Sequence, residues 1–213
     1  MRTYVAAAAL LGALAAVGAG QTTARVAVAP ESKLWIEGTS NLHGWSCKAE
    51  KFDAAIELDA AAVAELTTAT PKALKRVEVK VPVKALKCGH GGMDDNLYKA
   101  LKADQTPEIS YILATFDAAP GEADAFTLKT NGTLAIAGKE NKLTMEVMAI
   151  RLPDGTVKAT GMVPIKMTDF GIKPPTAIFG TLRTGDEVRV NFALTVGARA
   201  IAAAINDKVV NDK

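Results

Sequence analysis

The chain has 213 residues, of which 49% are hydrophobic and 23% are charged, and its formal net charge is +2 at pH 7. This composition supplies ample apolar material for a folded core and does not resemble that of a disordered chain. The near balance of charge lacks the basic footprint of nucleic-acid-binding proteins, so we expect no nucleic-acid partner.

The first residues have the pattern of a secretory signal peptide. Arg2 precedes an uncharged run rich in Ala, Leu and Val at 4–17, and small residues then offer a cleavage site near Ala19. The run is shorter than the roughly 20 residues of a membrane-spanning helix, and no cysteine follows it for lipid attachment. We therefore predict a signal peptide at 1–19, a periplasmic or secreted location and no stable membrane anchor.

The body of the chain, from 33 to 196, consists mostly of segments in which apolar and polar residues alternate, which predicts β-strands. The clearest alternation is at 76–84, where every second residue is a valine. Strands are predicted at 34–40, 52–58, 76–84, 108–117, 126–136, 143–147, 157–167 and 188–196. The strand at 108–117 is apolar on both faces, which predicts that both of its faces are covered.

One stretch between these strands has helical spacing instead. Its apolar residues fall on one face of a short helix: Met93, Leu97, Ala100 and Leu101. Asp94 or Asp95 can cap free backbone N–H groups at the start of this helix and complement its dipole. A further helical turn is predicted at 60–66, and 197–213 is predicted to be a C-terminal helix or tail without an assigned function.

About eight strands, hairpin-length links and one short helical crossover predict an all-β fold. A single antiparallel β-barrel is the simplest arrangement, because closing a sheet removes its exposed edges. A barrel of eight strands has room for side chains or for one small apolar ligand. The strand pattern alone favours a solid core over a hollow interior.

Cysteine and histidine occur twice each, as Cys47 with His43 and as Cys88 with His90. Two cysteines in an exported chain most simply form a disulfide, which is our prediction. These residues are also ligand types for zinc or copper, although their spacing is not that of a zinc finger. The alternative function is therefore that of a periplasmic metal-binding or thiol-redox protein. If the cysteines form the predicted disulfide, the protein has no metal site.

Motifs for catalysis are weak in this sequence. Asp94 and Asp95 are adjacent acids at a helix start, which is typical of capping residues. The serines lack a nucleophile-elbow context, and no phosphate-binding or dinucleotide glycine motif is present. We therefore predict that the protein is not an enzyme, with no catalytic residue and no cofactor.

Three segments carry a family resemblance: GMDDNLYKALKA at 92–103 with PEI at 107–109, GMVPIKMTDFGI at 161–172, and the final strand after TGDE at 184–187. In order and spacing, the chain from 33 to 196 resembles the YceI-like family of exported lipid- and polyisoprenoid-binding proteins. The resemblance implies a lipocalin-like barrel whose apolar lumen holds an isoprenoid or other amphiphilic lipid. The two Cys/His pairs depart from the commoner family pattern.

The resemblance favours a lipid-lined tunnel over a solid core. The predicted ligand-binding residues are apolar, with the last two expected at a mouth: Phe52, Ile56, Val79, Val81, Leu134, Ile136, Met145, Val163, Ile165, Phe192, Phe170 and Phe179. A long apolar chain suits such a wall because burial gains about 25 cal/mol per Å² without a polar partner. An isoprenoid-type lipid is thus the expected partner, and self-association into a homodimer is left open.

Overall fold

The structure is a computed structural model that describes residues 23–59 and 74–197. The predicted signal peptide, the predicted helical turn at 60–66 and the C-terminal segment after Gly197 lie outside the described residues. No helix within the described ranges has both the length and the apolar character needed to cross a membrane.

The described residues form twelve strands and one α-helix. The strands are β1 (Thr23–Ala27), β2 (Lys33–Ser40), β3 (Gly44–Ala49), β4 (Asp53–Asp59), β5 (Leu74–Pro82), β6 (Leu86–Lys87), β7 (Glu108–Pro120), β8 (Ala125–Ile136), β9 (Lys139–Arg151), β10 (Val157–Lys166), β11 (Thr176–Ala177) and β12 (Leu182–Val196). The helix is α1 (Gly91–Ala100), and 3-10 turns occupy Val83–Ala85, Met167–Phe170 and Ile178–Gly180. The predicted all-β class with one short helical crossover is confirmed for this part of the chain.

Eleven strands follow one path of antiparallel pairs, in the order β1-β4-β5-β7-β8-β9-β10-β12-β2-β3-β6, and β11 pairs with β12 beside it. The end of the path leads back towards its beginning, because β6 follows β5 after the single 3-10 turn Val83–Ala85. The sheet therefore curls into a barrel-like shape, with alternate side chains of each strand on its concave face.

The predicted number of strands, about eight, is wrong. The difference arises mainly at three bends, where β1 continues into β2, β3 into β4 and β5 into β6. We call these pairs of strands the β1–β2, β3–β4 and β5–β6 runs. The β1–β2 run pairs with the β3–β4 run on both sides of the bend, through β1 with β4 and β2 with β3. The β3–β4 run pairs in the same way with the β5–β6 run, through β4 with β5 and β3 with β6. Three long bent strands are thus divided into six shorter ones.

The prediction that both faces of β7 are covered is also wrong. Ile109, Tyr111 and Leu113 face the core, but Ile112 is 41% exposed on the other face. A shift of register between Leu113 and Thr115 marks a β-bulge, which turns Phe116 back towards the core side. Apolar residues therefore occur at both odd and even positions of β7, although only one face of the strand is buried.

The helix α1 is anchored to the strand end that precedes it. The Tyr98 hydroxyl donates towards the carbonyl oxygens of Leu86 at 2.8 Å and Lys84 at 3.1 Å, and it accepts from Lys87 Nζ at 2.8 Å. Asp94 Oδ1 accepts from the backbone N–H of Cys88 at 2.7 Å. Asp94 thus binds a backbone donor that precedes the helix, and the prediction that Asp94 or Asp95 caps the helix is wrong for its N-cap position, His90, which has no side-chain cap.

Candidate functional site

A cavity of about 470 Å³ lies inside the curled sheet. Inward-facing residues of the strands form most of its wall, and Leu97 and Leu101 from the α1 region and Phe170 and Ile172 after β10 complete it. The described part of the wall contains no Asp, Glu, Lys or Arg. The volume falls within the roughly 300–1,000 Å³ of typical small-molecule sites.

Ten of the twelve residues that the sequence analysis named lie on the wall of this cavity. They are Ile56, Val79, Val81, Leu134, Ile136, Met145, Val163, Ile165, Phe170 and Phe192. Phe170, expected at a mouth, belongs to this wall and is buried, with only 4% of its surface exposed. The structure brings these side chains together, and their contact with a ligand stays a prediction.

Two of the named residues lie elsewhere. Phe52 packs against the buried core without being part of the cavity wall. Phe179 is 108% exposed and has a positive φ of 53°, so its ring points into solvent from the 3-10 turn Ile178–Gly180. Alternation could not place Phe179, because it lies outside any long strand.

Several wall residues were missed by the sequence analysis, among them Trp45, Tyr111 and Thr130. Trp45 belongs to β3, which lies between the predicted strands at 34–40 and 52–58 and was not predicted as a strand. Tyr111 lies on the strand whose two faces look alike in sequence. Thr130 lies on β8 between Leu128 and Leu134, and all three residues occupy even-numbered positions on the inward face of the strand. The alternation of β8 could therefore have identified Thr130 as a wall residue.

Three aromatic rings of the wall lie against glycines on inward positions of the sheet. The pairs are Trp45 with Gly38, Tyr111 with Gly132 and Phe192 with Gly161, and a Cβ built on each glycine would lie 2.2, 2.5 and 2.4 Å, respectively, from the nearest ring atom. Real Cβ atoms do not approach so closely, so these rings occupy space that only glycine leaves free. The rings consequently lie close to the sheet.

Polar residues gather at one end of the cavity. Ser40 and Thr184 are register partners on β2 and β12, and the Ser40 hydroxyl donates to the backbone carbonyl of His43 at 2.8 Å. Both residues, with His43, belong to the wall, and exposed Thr176 of β11, the register partner of Arg183, completes this polar rim. Hydrogen-bonding groups of the wall therefore cluster where β11 and β12 meet the turn between β2 and β3.

A second polar group lies among the apolar residues of the wall. Tyr111 is 8% exposed, and its hydroxyl is the only buried side-chain N or O atom of the described residues without a hydrogen-bond partner. Burial raises the pKa of Tyr111, and the nearby Thr130 hydroxyl acts in the opposite direction. The two hydroxyls lie near each other without meeting hydrogen-bond geometry, and Thr130 Oγ1 donates its hydrogen to the Met145 carbonyl at 3.0 Å.

The cysteines form the predicted disulfide. Cys47 and Cys88 are bonded with a Cα–Cα distance of 3.9 Å, 41 residues apart in the chain, and both belong to the cavity wall. His43 lies at the polar rim and His90 at the exposed start of α1. The described residues contain no group of three or more His, Cys, Asp and Glu arranged to hold a metal ion.

Solved structures with the same fold come from three bacteria. BcnA from Burkholderia cenocepacia is 19% identical, with 79% of this chain and 98% of that chain covered and a TM-score of 0.59. A polyisoprenoid binding domain from Saccharophagus degradans, implicated in plant cell wall breakdown, is 13% identical, with coverages of 83% and 99% and a TM-score of 0.61. The YCEI protein of Campylobacter jejuni is 18% identical, with coverages of 71% and 83% and a TM-score of 0.55.

At these identities the likeness shows a shared fold. Among curated proteins, none matches the chain in sequence. The family model of the YceI-like domain matches residues 27–196, which include β2 to β12 and the whole cavity wall described above. The chain therefore belongs to the YceI-like family.

Proposed function

We propose that this protein is an exported, non-enzymatic carrier or sequestering protein for an isoprenoid-type or other amphiphilic lipid. The observation that carries this proposal is the cavity of about 470 Å³, whose described wall contains no Asp, Glu, Lys or Arg. Family membership and the polyisoprenoid-binding description of the Saccharophagus degradans domain support it. Export rests on the signal-peptide pattern of the sequence.

The size of the cavity sets the scale of the interaction. A methylene group occupies about as much space as a water molecule, roughly 30 Å³, so the volume of the cavity corresponds to roughly 15 methylene groups. Each buried CH₂ contributes about 0.8 kcal/mol, so a chain that fills the cavity gains on the order of 10 kcal/mol before the costs of binding. A branched apolar chain with a polar end at the rim uses both parts of this wall.

The strand pairing supports a lipocalin-like arrangement for this carrier. When each bent run is counted as one long strand, the pairs lead from β12 through the β1–β2, β3–β4 and β5–β6 runs to β7. An eight-membered antiparallel ring of this kind encloses enough space for one small ligand. We propose that the lipid lies along the axis of this ring.

A matched pair of variants tests the proposal. Ala159 belongs to the cavity wall, whereas the next residue of β10, Thr160, is exposed on the other face. Ala159→Phe places a ring in the cavity, and Thr160→Phe places the same ring outside. We expect Ala159→Phe to lose most of the lipid extracted after purification from the exported fraction, and Thr160→Phe to retain it.

Native mass spectrometry with organic extraction and metal analysis gives the measurement. Wild-type protein should carry a lipid that is absent from the Ala159→Phe variant. A stoichiometric metal without extractable lipid would overturn the carrier proposal in favour of the metal-binding alternative. Equal lipid contents in both variants would place the ligand outside the cavity.

A further inference from the structure

The Tyr111 hydroxyl occupies an unusual position in an otherwise apolar region. Its register partners are Val79 on β5 and Leu134 on β8, which are both wall residues. A buried hydroxyl without a partner is costly, because it has given up water without replacing its hydrogen bonds. Such a group is rare in folded proteins and calls for a specific explanation.

The ring is also held in one place by the backbone beside it. A Cβ built on Gly132 would lie 2.5 Å from three atoms of Tyr111, including the hydroxyl oxygen, so any larger residue would displace this end of the ring. Gly132 thus lets the phenol lie within the wall, next to Thr130. Among the described residues, the Tyr111 hydroxyl has space beside Gly132 but makes no hydrogen bond.

We propose that the Tyr111 hydroxyl is a hydrogen-bond donor to a neutral oxygen of the bound lipid, such as a ketone, quinone or alcohol oxygen. This inference rests on the proposed lipid-binding function and specifies the chemistry of the ligand. The phenol hydrogen can rotate to meet an acceptor that enters at this level. Thr130 Oγ1 already donates its hydrogen to Met145, but its oxygen can still accept from an alcohol.

The charge of the ligand at this position follows from the same wall. No Lys or Arg belongs to the described part of the wall, so a phosphate or carboxylate beside Tyr111 would be buried without a counter-ion. Burial raises the pKa of Tyr111, so the phenol keeps its hydrogen at neutral pH and stays a donor. Both facts favour a neutral oxygen group.

Two probes of nearly the same shape separate this contact from simple apolar burial. They are the isoprenoid ketone phytone and the hydrocarbon pristane, in which a methyl group replaces the ketone oxygen. Protein is equilibrated with an equal mixture of the two, and the bound lipids are extracted and quantified. Comparing the ratio of bound ketone to hydrocarbon between variants cancels the different solubilities of the probes.

Tyr111→Phe should lower this ratio roughly three- to tenfold, as expected for the loss of one neutral hydrogen bond. Thr160→Val is the control, because Thr160 is exposed on the outer face of β10 and loses a hydroxyl outside the cavity wall, so the ratio should stay unchanged. The infrared carbonyl stretch of bound phytone should lie at lower wavenumber in the wild type than in Tyr111→Phe. Without ligand, Tyr111→Phe should be at least as stable as the wild type, since the hydroxyl has no internal partner.

A ratio and a carbonyl frequency that are the same in the wild type and in Tyr111→Phe would overturn this inference while leaving lipid binding intact. Failure of the wild type to bind either probe would overturn the proposed function as well. A marked loss of stability in unliganded Tyr111→Phe would show that the hydroxyl has a structural partner, which also contradicts the inference.

Discussion

Single glycines determine where the aromatic rings of the cavity wall can lie. Gly38, Gly132 and Gly161 are on inward positions of their strands, where any side chain would meet a neighbouring ring. Glycine usually weakens a strand because it has no side chain to pack and loses more backbone entropy on folding. Here the missing side chain is replaced by a ring from another strand, which covers the backbone and leaves the centre of the barrel open.

Gly161→Ala should therefore destabilise the protein. Its new Cβ would lie 2.4 Å from Phe192 and 3.1 Å from the Glu146 carbonyl oxygen, so the ring and the backbone must both shift. We expect the free energy of unfolding to fall by about 1–2 kcal/mol, as for other overpacked cores. Urea unfolding measures this change.

Gly92→Ala in α1 is the control for that substitution. A Cβ on Gly92 meets nothing within 4 Å, so alanine should be neutral or stabilise the helix by about 0.5–1 kcal/mol. Equal effects of the two substitutions on the urea midpoint would show that Phe192 does not depend on the glycine beneath it.

At the scale of elements, the sequence predicts most strands and the helix but not the breaks within strands. The period-two pattern of β5 and the helical spacing of α1 survive in the structure because each element buries a single face. The β7 bulge and the bends between β1 and β2 or β3 and β4 follow from pairing with distant strands, which leaves no local signal. Strand parity identified nine wall residues, Phe170 being named from the loop after β10, and it missed Tyr111, whose strand has apolar residues on both faces.

A carboxylate on β12 holds the turn that follows β10. Asp186 accepts hydrogen bonds from the Thr168 hydroxyl at 2.7 Å and the Thr168 backbone N–H at 2.9 Å, and these bonds lower the pKa of Asp186. That turn, Met167–Phe170, ends in buried Phe170 of the cavity wall. Asp186 thus links β12 to the segment that positions one end of the site.

Asp186→Asn should reduce stability in a pH-dependent way. Because the folded pKa lies below the unfolded value near 3.8, the contribution of the carboxylate is complete above that value and is lost as pH falls through the folded pKa. The wild type should therefore have the higher urea midpoint at neutral pH, and the difference should disappear in strong acid. Asp117→Asn, on an exposed part of β7, is the control, and a difference that persists in acid would contradict the role of this carboxylate.

On the scale of the whole molecule, the β3–β4 run and the β5–β6 run are joined at six positions between β4 and β5 but only by a short seam between β3 and β6. Only two residue pairs join these strands, Lys48 with Lys87 and Ala49 with Leu86, whereas β8 and β9 pair along twelve positions. The disulfide between Cys47 and Cys88 continues the seam by one position. A covalent bond therefore lies where the hydrogen-bonded sheet is narrowest, next to the start of α1.

Removal of this bond should weaken the seam before the rest of the sheet. For a loop of about 40 residues, the chain-entropy model gives a loss of about 4 kcal/mol in the free energy of unfolding for the double variant Cys47→Ala/Cys88→Ala. Hydrogen exchange should accelerate most in β3 and β6, while β8 keeps relatively slow exchange because it pairs with β7 on one side and with β9 on the other. Reduction of the wild type should reproduce both effects. A bond that joins β3 to β6 must protect these two strands most. A local role for the disulfide would therefore be contradicted if the free energy of unfolding did not change, or if hydrogen exchange accelerated equally in all strands.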